Sequence, residues 1–116
     1  MRTRMWAAAA ALLFAIVFVA GAASAAGPNP NRGKWLFRYA CKSCHIKKGE
    51  AKDLDPTMKT QQQWTRAFKN DTVGKMLPRV ADKTGKALTP AELADLEAYL
   101  VAHAADSEQP ANCGLK

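Results

Sequence analysis

The sequence predicts an all-α fold, and three observations carry that expectation. No stretch alternates apolar and polar residues with the period of two that a half-buried strand needs, and no internal repeat is present. Two capping-box patterns, Thr60-Gln61-Gln62-Gln63 and Thr89-Pro90-Ala91-Glu92, stand directly before runs with helical apolar spacing. A third helical pattern places Gly33, Phe37 and Cys41 four residues apart, on one face, just ahead of a cysteine–histidine cluster. Three or so helices joined by loops are expected.

The elements follow in order. Arg2 and Arg4 make a positive start, Met5 to Ala20 is an apolar run, and Ala23-Ser24-Ala25 suits a small-residue cleavage site. Residues 1–25 therefore read as a secretory signal peptide. The alternative is an uncleaved membrane anchor, because Met5 to Ala26 carries no charge and approaches the ~20 residues that span a bilayer. Residues 26–30 form a flexible lead-in, residues 31–105 one folded domain, and residues 106–116 a polar C-terminal tail that contains Cys113.

Within the domain, Asn31 is a good N-cap for a helix running to about Cys41. Ile46 to Lys59 is polar, with Gly49 and Pro56, and reads as a loop. The first capping box opens a helix that presents Trp64, Ala67 and Phe68 on one face and ends near Asn70-Asp71. Gly74 to Thr89, punctuated by Pro78 and Gly85, reads as a second loop. Pro90 stands at the first position of the last helix, where Leu93, Leu96, Leu100 and His103 recur at helical spacing.

The cluster Cys41-Lys42-Ser43-Cys44-His45 carries the chemistry. It is a C-x-x-C-H pattern, the attachment site of a c-type haem. Two thiols one helical turn apart can each add to a haem vinyl group, and the adjacent imidazole then reaches the iron. Cys41 and Cys44 are the expected thioether residues and His45 the proximal ligand. A thioredoxin-like disulfide pair normally follows a strand, whereas here a helix precedes it. A zinc site built from Cys41, Cys44, His103 and Cys113 is the other alternative, but its spacing is irregular and leaves His45 idle. Met58, Met76 and His103 are the candidates for the sixth position of the iron. Trp35, Trp64 and Phe68 are expected to wall the haem pocket or core.

Charge suggests the kind of partner. The chain has 17 basic and 10 acidic residues. Losing Arg2 and Arg4 with the leader leaves 15 basic residues, a net charge of +5. Lys42, Lys47, Lys48 and Lys52 crowd the motif, while Glu92, Asp95, Glu97, Asp106 and Glu108 come late. A basic rim beside an electron-exit edge would steer redox partner proteins with acidic docking surfaces. Nucleic acid is not expected as a partner, since an exported chain has little access to it and no reading motif is present. A membrane is expected only if the leader stays uncleaved.

The run Gly33-x-x-x-Phe37-x-x-x-Cys41-x-x-Cys44-His45, together with the capped last helix containing Leu96-Glu97-Ala98-Tyr99-Leu100, resembles class I cytochromes c. The resemblance covers residues 31–103. It implies a cytochrome c-like fold wrapped around one covalently attached haem c with its iron. Its first and last helices would cross with Leu96 and Tyr99 packed over Gly33 and Phe37. It further implies that the Pro56 carbonyl supports His45, although Asp53 or Asp55 could serve, and that Met76 is the distal ligand. His103 is then the alternative distal ligand, and Met58 a weaker one because it follows Pro56 on the proximal side. The function implied is a periplasmic one-electron carrier rather than an enzyme. A haem subunit of a membrane oxidoreductase and a gas-binding or sensing haem protein are the alternatives.

Overall fold

A computed structural model describes residues 27–111, so the expected signal peptide and Cys113 lie outside the described residues. The described residues form four α-helices and no strand: α1 (Pro30–Tyr39), α2 (Gln61–Lys69), α3 (Leu77–Thr84) and α4 (Pro90–Ala102). Short 3-10 turns at Cys41–Ser43, Pro56–Met58 and Gly74–Met76 punctuate the connections.

α1 is capped two residues earlier than its sequence suggests. Asn29, not Asn31, is the cap, and its side chain accepts from the Asn31 and Arg32 amides at 3.0 and 3.3 Å. Pro30 then occupies the first turn, where a missing N–H is harmless. Both expected capping boxes form. Thr60 and Gln63 satisfy each other's backbone amides at the start of α2, and Thr89 and Glu92 do the same for α4.

α3 was not expected. Pro78 and Gly85 read as loop punctuation, yet they mark the two ends of one short helix. Pro78 lies in its first turn, and Gly85 closes it with a left-handed φ of 73°.

α1 crosses α4 at Gly33, as the resemblance implies. A Cβ at Gly33 would sit on the Asp95 carbonyl and 2.7 Å from the Tyr99 Cβ, so only glycine permits this approach. Phe37 and Tyr99 meet with ring centroids 5.8 Å apart and a 48° tilt. Leu36, Leu96, Leu100 and Ala104 complete the core with Trp64 of α2. Asp95 also ties the crossing from the polar side, accepting from the Asn29 amide at 2.7 Å and pairing with Arg32 at 2.7 Å. The segment after α4 folds back onto the start of α2. Ala105 N–H donates to Lys59 O at 3.0 Å, and Asp106 accepts from the Gln61 amide at 2.8 Å.

Candidate functional site

The site is built outward from the end of α1. The helix stops at Tyr39, and the Cys41–Ser43 turn brings the chain round so that Cys44 and His45 N–H both donate to the Cys41 carbonyl, at 3.3 and 3.0 Å. Ser43 Oγ donates to Ala40 O at 2.5 Å and locks the turn. The loop then reverses tightly. Lys48 takes a left-handed φ of 61°, and Ala51 N–H donates back to Cys44 O at 3.1 Å. A Cβ at Gly49 would press on that same Cys44 carbonyl.

Cys41, Cys44 and His45 line one cavity of about 720 Å³, within the size range of cofactor sites. Leu54, Trp64, Phe68, Leu88, Leu96 and Leu100 supply apolar walls. Burial, with a lesser contribution from Cys44, pushes the Cys41 thiol up to about 12. That is the opposite of the lowered pKa that marks a redox-exchange cysteine. A large, mainly apolar cavity with two thiols and an imidazole on its wall suits a flat apolar macrocycle carrying a metal.

His45 has one nitrogen engaged. Its Nδ1 lies 2.7 Å from the Lys52 carbonyl. With Nδ1–H donating there, Nε2 keeps a free lone pair for a metal. This corrects the expected partner: the Pro56 carbonyl instead accepts from Trp64 Nε1 at 2.7 Å. The two expected carboxylate substitutes are also elsewhere. Asp53 takes Lys42 Nζ at 2.5 Å and the Leu54 amide at 3.1 Å, and the Lys42 hydrogen bond holds its carboxyl below the usual range. Asp55 is buried at the start of the Pro56–Met58 turn. Nothing in the sequence could have announced Lys52, because the group that matters is a backbone carbonyl.

The three distal candidates separate. Met76, the N-cap residue of α3, and Met58 both line the cavity. His103 does not. It ends α4 as the C-cap, its ring lies 4.9 Å from Tyr99, and its Nδ1 lies 2.7 Å from the Gln109 carbonyl. The same placement takes His103 away from the two cavity cysteines that the zinc alternative would join to it.

Of the three expected wall residues, Trp64 and Phe68 line the cavity and Trp35 does not. Trp35 is 55% exposed on the outer face of α1, stacked on Tyr39 at 4.8 Å. It sits two residues from Gly33 and Phe37, which face the core, so helical geometry turns it outward. Lys52, Lys59, Lys75 and Arg79 edge the cavity, and Lys59 Nζ lies 5.8 Å above the Trp64 ring.

Against this geometry, the family description "Cytochrome c" matches residues 30–104, well over half of the chain. The chain belongs to the cytochrome c family. Membership brings a covalently bound haem c with its iron, and the cysteine–histidine cavity is where this cytochrome has the groups to receive it. Cytochromes c are in general electron-transfer proteins that work with redox partner proteins, and their domains are typically extracytoplasmic. Among the described residues, no helix is long and apolar enough to cross a membrane. No curated protein and no solved structure gives a significant match.

Proposed function

We propose that this cytochrome is a periplasmic monohaem carrier that passes single electrons between redox proteins. The observation that carries the reading is the convergence of Cys41, Cys44 and His45 on one apolar cavity, with His45 Nδ1 held on the Lys52 carbonyl. Cys41 and Cys44 would be the thioether residues and His45 Nε2 the proximal ligand. The bound haem supplies one-electron chemistry at its iron. The chain's own residues keep the surroundings dry, and Lys52 O fixes the imidazole's orientation and raises its basicity.

Met76 is proposed as the distal ligand. It lines the cavity from the N-terminus of α3, a segment remote in sequence from His45. Met58 lies in the same short segment as Lys52, whose carbonyl supports His45, which favours a place on the proximal side. His103 stands outside the cavity at the end of α4, which argues against bis-histidine ligation. The cavity-edge lysines Lys52, Lys59 and Lys75 suit transient docking of an acidic partner. Residues 1–25 are proposed to direct export and to be removed.

The test is the visible spectrum of the matured protein, oxidised and reduced, with and without Met76→Ala. A far-red thioether-to-ferric band that the substitution abolishes is the expected result. A low-spin spectrum that Met76→Ala leaves unchanged would remove Met76 from the ligand set.

A further inference from the structure

Side-chain contacts tie α3 to the rest of the chain, and the helix lines the cavity with Leu77, Arg79 and Val80. Its C-terminal end is tied by the Tyr39 hydroxyl, which donates to the Thr84 carbonyl at 3.0 Å. Closer to its start, one side chain makes the connection. The Glu50 carboxylate, in the loop after His45, accepts on Oε2 from Arg79 Nε at 3.1 Å and Nη2 at 2.6 Å. Its Oε1 takes Lys83 Nζ at 2.6 Å. Arg79 and Lys83 are four residues apart, one helical turn, so a single carboxylate reaches both. The same Oε2 lies 3.9 Å from Cys44 Sγ. Glu50 thus joins the segment that carries Cys44 and His45 to the helix whose N-cap is Met76. Hydrogen bonds from Lys83 and then Arg79 lower its carboxyl to about 2, so the anion persists well into acid.

We propose that Glu50 is a positioning residue for the distal side, latching α3 and with it Met76 across the cavity, so that ionic strength controls how readily the sixth position opens. The inference rests on Met76 as the distal ligand. An exposed ion pair is weak by itself. Here two pairs share one carboxylate and hold a single short helix, so their combined effect falls on one element. Salt screens them: the Debye length falls from about 10 Å at 0.1 M to about 3 Å at 1 M.

The experiment titrates imidazole into the ferric holoprotein and reads displacement of the distal ligand from the visible spectrum, at low salt and at about 1 M salt. Glu50→Gln is expected to raise imidazole affinity roughly three- to tenfold at low salt. High salt should move the wild type toward the variant and leave the variant unchanged. Lys83 does not line the cavity and pairs with Glu50, so Lys83→Gln tests the latch from its other side. It should give a smaller increase, and none when added to Glu50→Gln, because both remove the same contact. Amide hydrogen exchange across Leu77–Thr84 should accelerate in both variants, a readout independent of the haem spectrum.

Wild-type imidazole affinity in Glu50→Gln, with the Met76-dependent band intact, overturns the latch alone. A spectrum indifferent to Met76→Ala overturns the ligand assignment and the latch with it. If Glu50→Gln does not mature, Lys83→Gln and the wild-type salt series decide, and a salt-independent affinity overturns the proposal.

Discussion

At the scale of single residues, three carboxylates are held ionised by specific neighbours. Lys83 and Arg79 lower Glu50 from 4.5 to about 2. Lys42 lowers Asp53, and Glu92 is lowered first by the Thr89 backbone and then by Lys86. A carboxyl whose folded pKa lies below its unfolded value stabilises the fold at pH above the unfolded value. That contribution is lost as pH falls toward the folded value. Thermal stability of the holoprotein should therefore stay level from neutrality down to about pH 5 and decline from there toward about pH 2. Glu50→Gln should flatten part of that decline, as read from melting curves across pH. A wild-type profile level to pH 3 would mean these pairs do not differ from their unfolded state. Some residue roles could be read directly from sequence. The spacing of Cys41, Cys44 and His45 is itself the chemistry. Glu50 gave no such signal, because its partners lie 29 and 33 positions away and meet it only in the folded chain.

At the scale of elements, the α1–α4 crossing is the point where one substitution should do most damage. Gly33→Ala puts a methyl group on the Asp95 carbonyl, and backbone lies on both sides of the contact. Alanine's better helix propensity would return about 1 kcal/mol, yet the overpacking should outweigh it and leave a net loss of about 2 kcal/mol. Urea denaturation of the holoprotein would measure this as a lower midpoint at unchanged slope. A midpoint equal to wild type would show that the helices separate at no cost. The start of α4 was legible because a capping box and a proline are local devices. α3 was missed because eight residues bounded by Pro78 and Gly85 are too short for periodicity to outweigh two apparent loop markers.

At the scale of the whole molecule, the core is small and the cavity is large. Among the described residues the buried apolar core is Leu36, Phe37, Ala40, Trp64, Ala67, Leu96, Tyr99, Leu100 and Ala104, beside a cavity of about 720 Å³. A domain of this size usually needs a staple, and a covalently held macrocycle in this cavity would join α1 to the walls opposite. Cys41→Ser/Cys44→Ser, which removes both attachment points, is expected to give a chain without a cooperative near-UV melting transition at 25 °C. Its far-UV helix signal should survive in part, with increased dye binding to exposed apolar surface. A sharp melt like that of the matured protein would show that the helices hold the fold unaided.

Local sequence alone carries the fold class, the starts of α2 and α4 and the cysteine–histidine motif, and the family resemblance adds the glycine at the crossing. All of these rest on contacts between near neighbours or on the one residue type small enough for its place. Tertiary structure decided the rest. It put the Lys52 carbonyl on His45 and gave the Pro56 carbonyl to Trp64. It turned Trp35 outward and His103 toward Gln109, and it strapped α3 to the loop after His45 through Glu50. Those choices depend on which groups long-range packing leaves within hydrogen-bond reach, and backbone carbonyls carry no side-chain signature in the sequence.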